Sequence, residues 1–207
     1  MNMDFEILET LALEQGRLRH LDRHLTRMAG SCAHFAYPWD EALMRACLAD
    51  LVAGHAQGLW RVRLLVDVQG RLRAEAFALQ PTATPVLLAL ADRPFAEAHG
   101  EFVRHKTTRR AHYAAFAPPA GVFDTLLYNQ AGEITESTFG NIAARLDGRW
   151  ITPALSCGLL PGVGRAVALA EGRLQEGVLR LQDLPRVQAW AFLNSLRGWL
   201  EAAVVGV

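Results

Sequence analysis

Apolar residues in the first part of the chain recur with the spacing of helices. Steps of four and three residues, which place side chains on one helix face, separate Leu21, Leu25, Met28, Cys32 and Phe35. Pro38 ends this pattern, because proline breaks a helix. Asp40 can cap a second helix, whose apolar positions are Leu43, Cys47, Leu48 and Leu51. Two consecutive amphipathic helices are therefore predicted.

Alternation of apolar and polar residues predicts two β-hairpins, one on either side of these helices. The first hairpin turns at Gln15-Gly16 and the second at Gln69-Gly70. The strand "PVLLALA" follows the second hairpin, and "DRPFAEAHG", at about residues 92–100, is typical of a linker.

The second half of the chain again mixes strands with helices. Its strands are separated by turns at Asn129–Gly132 and Asp147-Gly148, and a glycine-rich loop then leads into a helix. A buried strand and a polar loop come last. This mixture predicts an α+β fold, with a small N-terminal subdomain over residues 1–94 and a larger one over residues 101–207.

Composition argues against several classes of function. The 207 residues are 51% apolar, and their 21 acidic and 21 basic side chains leave no charged footprint for nucleic acid or a membrane surface. No apolar run approaches the roughly 20 residues of a membrane span. Two acidic residues precede any apolar segment, so no signal peptide is expected. Three widely separated cysteines indicate reduced thiols in a cytoplasmic protein.

The chain contains a single lysine. Of the 21 lysine and arginine residues, 20 are arginine and one, Lys106, is lysine. Arginine carries the same charge, but only lysine loses its proton at accessible pH and attacks a carbonyl group. Lys106 is therefore a candidate nucleophile, and a solvated loop lysine is the alternative interpretation.

A glycine-rich loop, "GLLPGVGR" at residues 158–165, precedes the last predicted helix. Exposed backbone N–H groups and the positive end of the following helix favour phosphate binding. An ordinary turn before a helix is the alternative. The loop is not a P-loop, because it lacks the Gly-Lys-Ser/Thr ending.

Two carboxylates and two histidines complete the set of candidate residues. In "GEITESTFGNI", Glu133 is interpreted as a solvated turn residue, whereas Glu136 lies among small residues. His20, His24 and Arg27 share a helix face, but no third ligand accompanies the histidines, so no metal site is predicted. An amine nucleophile, a phosphate cradle, an arginine and a buried carboxylate together indicate pyridoxal 5'-phosphate, whose aldehyde a lysine holds as a Schiff base.

Three motifs resemble those of class IV pyridoxal-phosphate enzymes, the fold-type IV group of aminotransferases and 4-amino-4-deoxychorismate lyases. "FEILETL" resembles the opening Phe-Glu-Thr strand, and "HLTRM" resembles His-x-x-Arg-Leu, whose arginine, here Arg27, contacts the phosphate. "HKTTRRAHY" resembles the Lys-Thr-Thr-x-Arg block of the lyase branch. By this resemblance Lys106 forms the Schiff base and Tyr113 contacts the ring hydroxyl.

Three further motifs follow in the order found in that family. "GEITESTFGNI" carries Glu136 at the position of the glutamate that binds the pyridine nitrogen, and Asn141 at the family's asparagine. "GLLPGVGR" matches the phosphate turn, and "FLNSLRG" matches the last active-site loop. The resemblance therefore implies further cofactor-binding residues: Leu160, Gly162, Val163, Gly164, Asn194 and Ser195.

The resemblance also implies architecture and assembly. It implies two small α/β subdomains, shortened at the N-terminus because the chain begins almost at the Phe-Glu-Thr strand. It implies a homodimer that acts on a small-molecule amine. The segment "RVRLLV" and the loop near Gly70 are expected to approach the neighbouring site.

The implied activity is that of 4-amino-4-deoxychorismate lyase, which forms 4-aminobenzoate and pyruvate in folate biosynthesis. An aminotransferase for branched-chain or D-amino acids is the first alternative. A pyridoxal-phosphate-binding protein without turnover is the second. The candidate residues for binding substrate carboxylates are Arg63, Arg109 and Arg197.

Overall fold

The computed structural model describes residues 5–206, which form two compact units. The first unit comprises the chain up to Pro81 together with His105–Arg109. The second comprises Thr82–Arg104 and the chain from Arg110 onward. The α+β fold predicted from the sequence is confirmed, since each unit combines a sheet with helices.

The first unit is an antiparallel sheet with two helices. Its elements are β1 (Ile7–Glu14), β2 (Arg17–Leu18), α1 (Leu21–His34), α2 (Glu41–Gly54), β3 (Leu59–Val66) and β4 (Leu72–Ala78). The strand order is β2-β1-β3-β4, with α1 packed on β1 and α2 on β4.

The two helices form where the apolar spacing predicts them. Leu25, Met28 and Cys32 are buried on α1, and the Asp40 carboxylate caps α2 by accepting a hydrogen bond from Leu43 N at 2.9 Å. Burial raises the pKa of the Cys32 thiol to about 11, which keeps it protonated at neutral pH.

The hairpins form with one change in pairing. Gln15 and Gly16 have φ angles of 49° and 74°, as a tight two-residue turn requires. However, β2 is only two residues long, and β1 pairs along its whole length with β3 instead. The short strand β2 therefore leads the chain into α1. The long pairing in this sheet joins β1 to β3, which are separated in sequence by both helices.

The second unit is built on an eight-stranded mixed sheet, in the order β10-β9-β8-β11-β12-β5-β6-β7. Its strands are β5 (Val86–Leu90), β6 (Asp124–Tyr128), β7 (Ile134–Ser137), β8 (Asn141–Leu146), β9 (Arg149–Pro153), β10 (Gln175–Gly177), β11 (Ala189–Asn194) and β12 (Gly198–Val205). Its helices are α3 (Glu101–Arg104), α4 (Ala111–Ala114) and α5 (Val163–Ala170), with 3-10 turns at Leu155–Cys157 and Leu181–Arg186.

Residues 92–100, which the sequence assigns to a linker, are part of the second unit. Phe95 is fully buried, its backbone N donates to Tyr128 O at 2.7 Å, and its ring lies 5.3 Å from that of Tyr113. The charged and small residues around Phe95 hide this apolar anchor in the sequence pattern. The first compact unit runs to Pro81, whereas the predicted subdomains divide between residues 94 and 101.

A buried carboxylate fixes the turn between β7 and β8. Asp124 is fully buried, and its Oδ1 accepts hydrogen bonds from Thr138 N at 3.2 Å and Thr138 Oγ1 at 2.6 Å. Its Oδ2 accepts a hydrogen bond from Phe139 N at 2.9 Å. The backbone of the turn is thus held firmly although the Phe139 side chain is 64% exposed.

The part of the chain that the structure describes contains no helix long and apolar enough to cross a membrane. Residues 1–4, the first part of the segment "MNMDFEILET" on which the absence of a signal peptide was predicted, lie outside the described residues.

Candidate functional site

Glu136 is a buried carboxylate in the second unit, on β7. It is 3% exposed, and its Oε1 accepts a hydrogen bond from Tyr113 Oη at 2.7 Å. Burial, together with the Glu136 carboxylate, raises the pKa of Tyr113 well above its ordinary value of 10. Tyr113 therefore stays protonated and donates to Glu136.

The other oxygen of Glu136 holds the glycine-rich loop. Leu160 N donates to Glu136 Oε2 at 3.1 Å, and Leu160 O accepts a hydrogen bond from Asn141 Nδ2 at 2.9 Å. Both polar groups of the Leu160 backbone are thus bound by predicted site residues. The structure brings together Tyr113, Glu136, Asn141 and the loop, as the sequence motifs predict.

The glycines of the loop allow close approaches that a side chain would block. A Cβ on Gly162 would lie 1.9 Å from Asn141 Oδ1, and a Cβ on Gly164 would lie 2.8 Å from the carbonyl carbon of Asn194 and 3.0 Å from Ser195 N. Gly162 is the N-cap of α5, so Val163 and Gly164 present the first backbone N–H groups of the helix. A helix N-terminus beside a backbone loop forms a cradle suited to phosphate.

Lys106 lies in the first unit, on a segment that extends the edge of β1. Leu8 N donates to Lys106 O at 3.0 Å, and Thr108 N donates to Glu6 O at 2.9 Å. The preceding residue, His105, has its Nδ1 at 3.1 Å from Ser31 Oγ of α1. The backbone of the only lysine is therefore fixed by a strand and a helix of this unit.

Arg27, also in the first unit, binds a second buried carboxylate. Its Nε and Nη2 donate to Glu9 Oε1 and Oε2, each at 2.7 Å, and His24 Nδ1 lies 2.7 Å from Glu9 Oε2. Burial acts to raise the pKa of Glu9, but the charges and hydrogen bonds of Arg27 and His24 outweigh it and lower the pKa to about 2. Glu9 therefore sets the orientation of the Arg27 guanidinium.

The three arginines proposed for substrate carboxylates have different surroundings. Arg63 pairs with Glu75 across the β3–β4 ladder at 3.5 Å, and Arg109 is exposed. Arg197, in the second unit, donates from Nη1 to Thr82 Oγ1, and its Cζ lies 6.0 Å from the centroid of the Phe123 ring.

Three residues beside Glu136 were missed in the sequence. Arg110 stacks on the Tyr113 ring at 4.5 Å, and Asp124 of β6 binds the turn after β7, which carries Phe139. The Lys-Thr-Thr-x-Arg spacing could have indicated Arg110, which stands four residues after Lys106. No local pattern marks Asp124, because its partners lie fourteen and fifteen residues away.

Among residues 5–206, no three histidine, cysteine, aspartate or glutamate side chains converge as ligands for a metal ion. The chemistry that the second unit offers is different: a buried carboxylate, a neutral phenol and a backbone cradle.

The family model described as amino-transferase class IV matches residues 6–205. The chain belongs to the class IV aminotransferase family. This family includes pyridoxal-phosphate-dependent aminotransferases and aminodeoxychorismate lyases that act on small-molecule amines, and the protein is an enzyme of this kind.

Individual relatives agree with this assignment. A Schizosaccharomyces pombe protein, provisionally named aminodeoxychorismate lyase, is 31% identical over 195 residues, which cover 89% of this chain and 84% of that protein. A Mesorhizobium loti structure, provisionally named amino-acid aminotransferase, is 36% identical and covers 98% of this chain and 100% of its own, with a TM-score of 0.89. The 4-amino-4-deoxychorismate lyase structure from Pseudomonas aeruginosa is 24% identical, covers 96% of this chain and 82% of its own, and shares the fold with a TM-score of 0.78.

The residues present in this class IV chain fit the cofactor of its family. Gly162 and Gly164 let Asn141 and the Asn194-Ser195 backbone pack closely against the start of a helix, whose N–H groups attract a phosphate. Glu136 supplies the buried carboxylate that a protonated ring nitrogen requires.

The Glu9 network predicts a specific dependence of stability on pH. Because the pKa of Glu9 is lowered from 4.5 to about 2 in the folded protein, its ionised form stabilises the fold above pH 4.5. We expect Glu9→Gln to lower the free energy of unfolding by roughly 2–3 kcal/mol at pH 7. The difference from the wild type should shrink as pH falls from about 4.5 towards 2, as urea titrations at several pH values would measure.

The control is Glu14→Gln, which removes a half-exposed carboxylate paired with Arg19. It should change the free energy of unfolding by at most about 1 kcal/mol. A difference between Glu9→Gln and the wild type that stays constant from pH 7 to pH 3 would contradict the role assigned to Glu9.

The cradle can be tested by adding one methyl group. Gly162→Ala should displace the Asn141 amide and break its bond to Leu160 O, because the new Cβ would overlap Asn141 Oδ1. We expect a loss of about 1–3 kcal/mol in unfolding free energy and weaker retention of pyridoxal phosphate in dialysis.

Gly30→Ala, in α1 with no atom within 4 Å of the added Cβ, is the matched control. It should stabilise the protein by about 0.5–1 kcal/mol, and equal behaviour of the two variants would argue against the cradle.

Proposed function

We propose that this enzyme is a pyridoxal-phosphate-dependent lyase that converts 4-amino-4-deoxychorismate to 4-aminobenzoate and pyruvate. The observation that carries this proposal is the similarity of nearly the whole chain to the Schizosaccharomyces pombe protein with that provisional name. The Lys-Thr-Thr-x-Arg block around Lys106, which resembles the lyase branch, supports it.

Each cofactor-binding residue has a proposed role. The Gly162–Gly164 backbone, the Asn194-Ser195 loop and Arg27 are proposed to bind its phosphate, because backbone N–H groups at a helix N-terminus and a guanidinium both bind oxyanions. Glu136 would accept a hydrogen bond from the ring nitrogen. Tyr113, kept protonated beside Glu136, would contact the ring hydroxyl.

The cofactor, when bound, withdraws electrons from the substrate carbon that bears the amine. Lys106 is the proposed base that removes the proton from this ring carbon, since an uncharged amine accepts a proton readily near neutral pH. The bond from the neighbouring carbon to the enolpyruvyl oxygen then breaks, and the ring becomes aromatic. Lys106 returns the proton to the leaving enolpyruvate, which becomes pyruvate, so no oxidant or water is consumed.

A class IV aminotransferase is the second candidate. The Mesorhizobium loti structure, which is 36% identical over almost the whole chain, favours it through its provisional name. Both activities need the same lysine, carboxylate and phosphate cradle, and they differ in the substrate that is accepted. A homodimer, completed by "RVRLLV" and the loop near Gly70, and a cytoplasmic location stay predictions.

Attachment of the cofactor can be located directly, because the chain offers one lysine side chain. Borohydride reduction followed by peptide mass mapping should find pyridoxal phosphate fixed to Lys106. Lys106→Arg keeps the charge but should give no fixed cofactor and should reduce turnover by about 10³-fold or more. A double variant that combines Lys106→Arg with Arg104→Lys carries its lysine at an exposed position, and it should restore neither the fixed cofactor nor the turnover. Cofactor fixed elsewhere in the wild type would overturn the assignment.

Product analysis distinguishes the two activities. Wild-type protein given aminodeoxychorismate should release pyruvate and 4-aminobenzoate in equal amounts. Given branched-chain or D-amino acids with 2-oxoglutarate, it should form glutamate at less than about a hundredth of that rate, because discrimination of this size needs only about 3 kcal/mol of differential binding. Glutamate formation faster than pyruvate release would favour the aminotransferase.

A further inference from the structure

Arg110 stacks against two aromatic rings in the second unit. Its Cζ lies 4.5 Å from the centroid of the Tyr113 ring and 5.3 Å from that of the Phe139 ring. Its Nη2 also donates a hydrogen bond to Thr138 O. A guanidinium that stacks through its face makes its polar contacts at its edge, where a carboxylate fits in the plane of the cation.

The charge of Arg110 has no carboxylate partner within ion-pair distance among residues 5–206. Arg93 provides a comparison in the same unit. It stacks on Phe116 at 5.3 Å and donates to Ala115 O, but it also pairs with Asp92 at 3.3 Å. Arg110 is half-buried where Arg93 is exposed, so leaving its charge without a protein anion is the more costly arrangement.

Phe139 is held in an exposed position by a rigid turn. Its side chain is 64% exposed, yet its backbone N is bound to buried Asp124 and its O accepts a hydrogen bond from Asn194 Nδ2 at 3.3 Å. Ser137 N closes the same turn by donating to Gly140 O at 2.8 Å. An apolar ring presented in this way offers a contact surface for a ligand.

Both residues adjoin the candidate cofactor site. Tyr113, on which Arg110 stacks, donates to Glu136, and Phe139 follows Glu136 by three residues around the turn. A ligand that reaches Glu136 from this side therefore meets a cationic edge and an aromatic face.

We propose that Arg110 binds the ring carboxylate of a cyclic substrate and that Phe139 contacts the ring that bears it. This assignment rests on the proposed function and names the recognition element for the substrate: a six-membered ring with a carboxylate. Charge-assisted hydrogen bonds from Arg110 select the anion, and the flat Phe139 ring selects an unsaturated ring over an aliphatic chain. Arg110 is thus a further candidate for binding a substrate carboxylate, and Arg63, Arg109 and Arg197 stay predictions.

The test compares two ligands that differ only in charge. The protein, purified with its cofactor, is titrated with 4-aminobenzoate and with the neutral 4-aminobenzamide in a calorimeter. We expect the wild type to bind the acid about 10- to 100-fold more tightly than the amide, the range for a hydrogen bond to a charged group. Arg110→Gln should remove this preference and leave the Kd of the amide within about threefold of the wild type.

Two further variants separate recognition from structure. Phe139→Ala should weaken both ligands to the same extent, by about 3- to 10-fold, because it removes ring contact and not charge. Arg93→Gln, which alters the comparable arginine over Phe116, should change neither Kd. A purely structural role for Arg110 would instead weaken acid and amide equally.

An acid preference that survives Arg110→Gln, or a wild type that binds the two ligands equally, would overturn the proposal. The lyase assignment is judged separately, by pyruvate release from the wild type. If the wild type releases no pyruvate but Arg110→Gln abolishes the preference for the acid, the carboxylate site is supported and the lyase assignment is wrong. Where pyruvate is released, Arg110→Gln should raise KM by about 10- to 100-fold and lower kcat by less than about threefold.

Discussion

The Glu136 carboxylate is nearly inaccessible to water, and the arrangement of the second unit around it follows from that burial. Removing a carboxylate from water costs several kcal/mol unless donors or cations replace the lost hydration. Tyr113 comes from α4 and Leu160 from the loop before α5, so one side chain binds two distant segments. Asn141 then binds the same loop through Leu160 O. The position of the glycine-rich loop is therefore a consequence of satisfying one buried charge.

The first unit also contains a buried carboxylate, but different side chains stabilise it. Glu9 is as deeply buried as Glu136, but an arginine and a histidine surround it, and its pKa is lowered accordingly. Tyr113 beside Glu136 shows the opposite effect, because burial and a neighbouring anion both favour its protonated form. Glu9 thus orients the guanidinium of Arg27, whereas Glu136 keeps the phenol of Tyr113 neutral beside the proposed cofactor ring.

The sequence predicted those features that depend on neighbouring residues. The helix α1, the cap at Asp40 and the turn at Gln15-Gly16 were predicted because periodicity and turn chemistry act within a few positions. The pairing of β1 with β3 and the burial of Phe95 were not predicted, because both depend on packing between remote segments.

The same limit applies to the candidate site. Motif order was sufficient to indicate Glu136, Asn141 and the loop glycines. Within the Arg109-Arg110 pair, the Lys-Thr-Thr-x-Arg spacing indicates Arg110, but its stacking on Tyr113 depends on the backbone direction after Lys106. Asp124 illustrates the point further, since its partners on the β7–β8 turn become neighbours only when the sheet forms.

Residues 105–109 belong to the first unit by their hydrogen bonds to β1, although both ends of this segment continue into the second unit. A chain severed between Pro81 and Thr82 would therefore not yield two self-sufficient fragments. The shorter fragment would lose the segment that binds the edge of β1 near Leu8, and the longer one would carry Lys106 without the strand that fixes it. The backbone hydrogen bonds that hold Lys106 therefore form only when both fragments are present, so the two fragments depend on each other for this part of the fold.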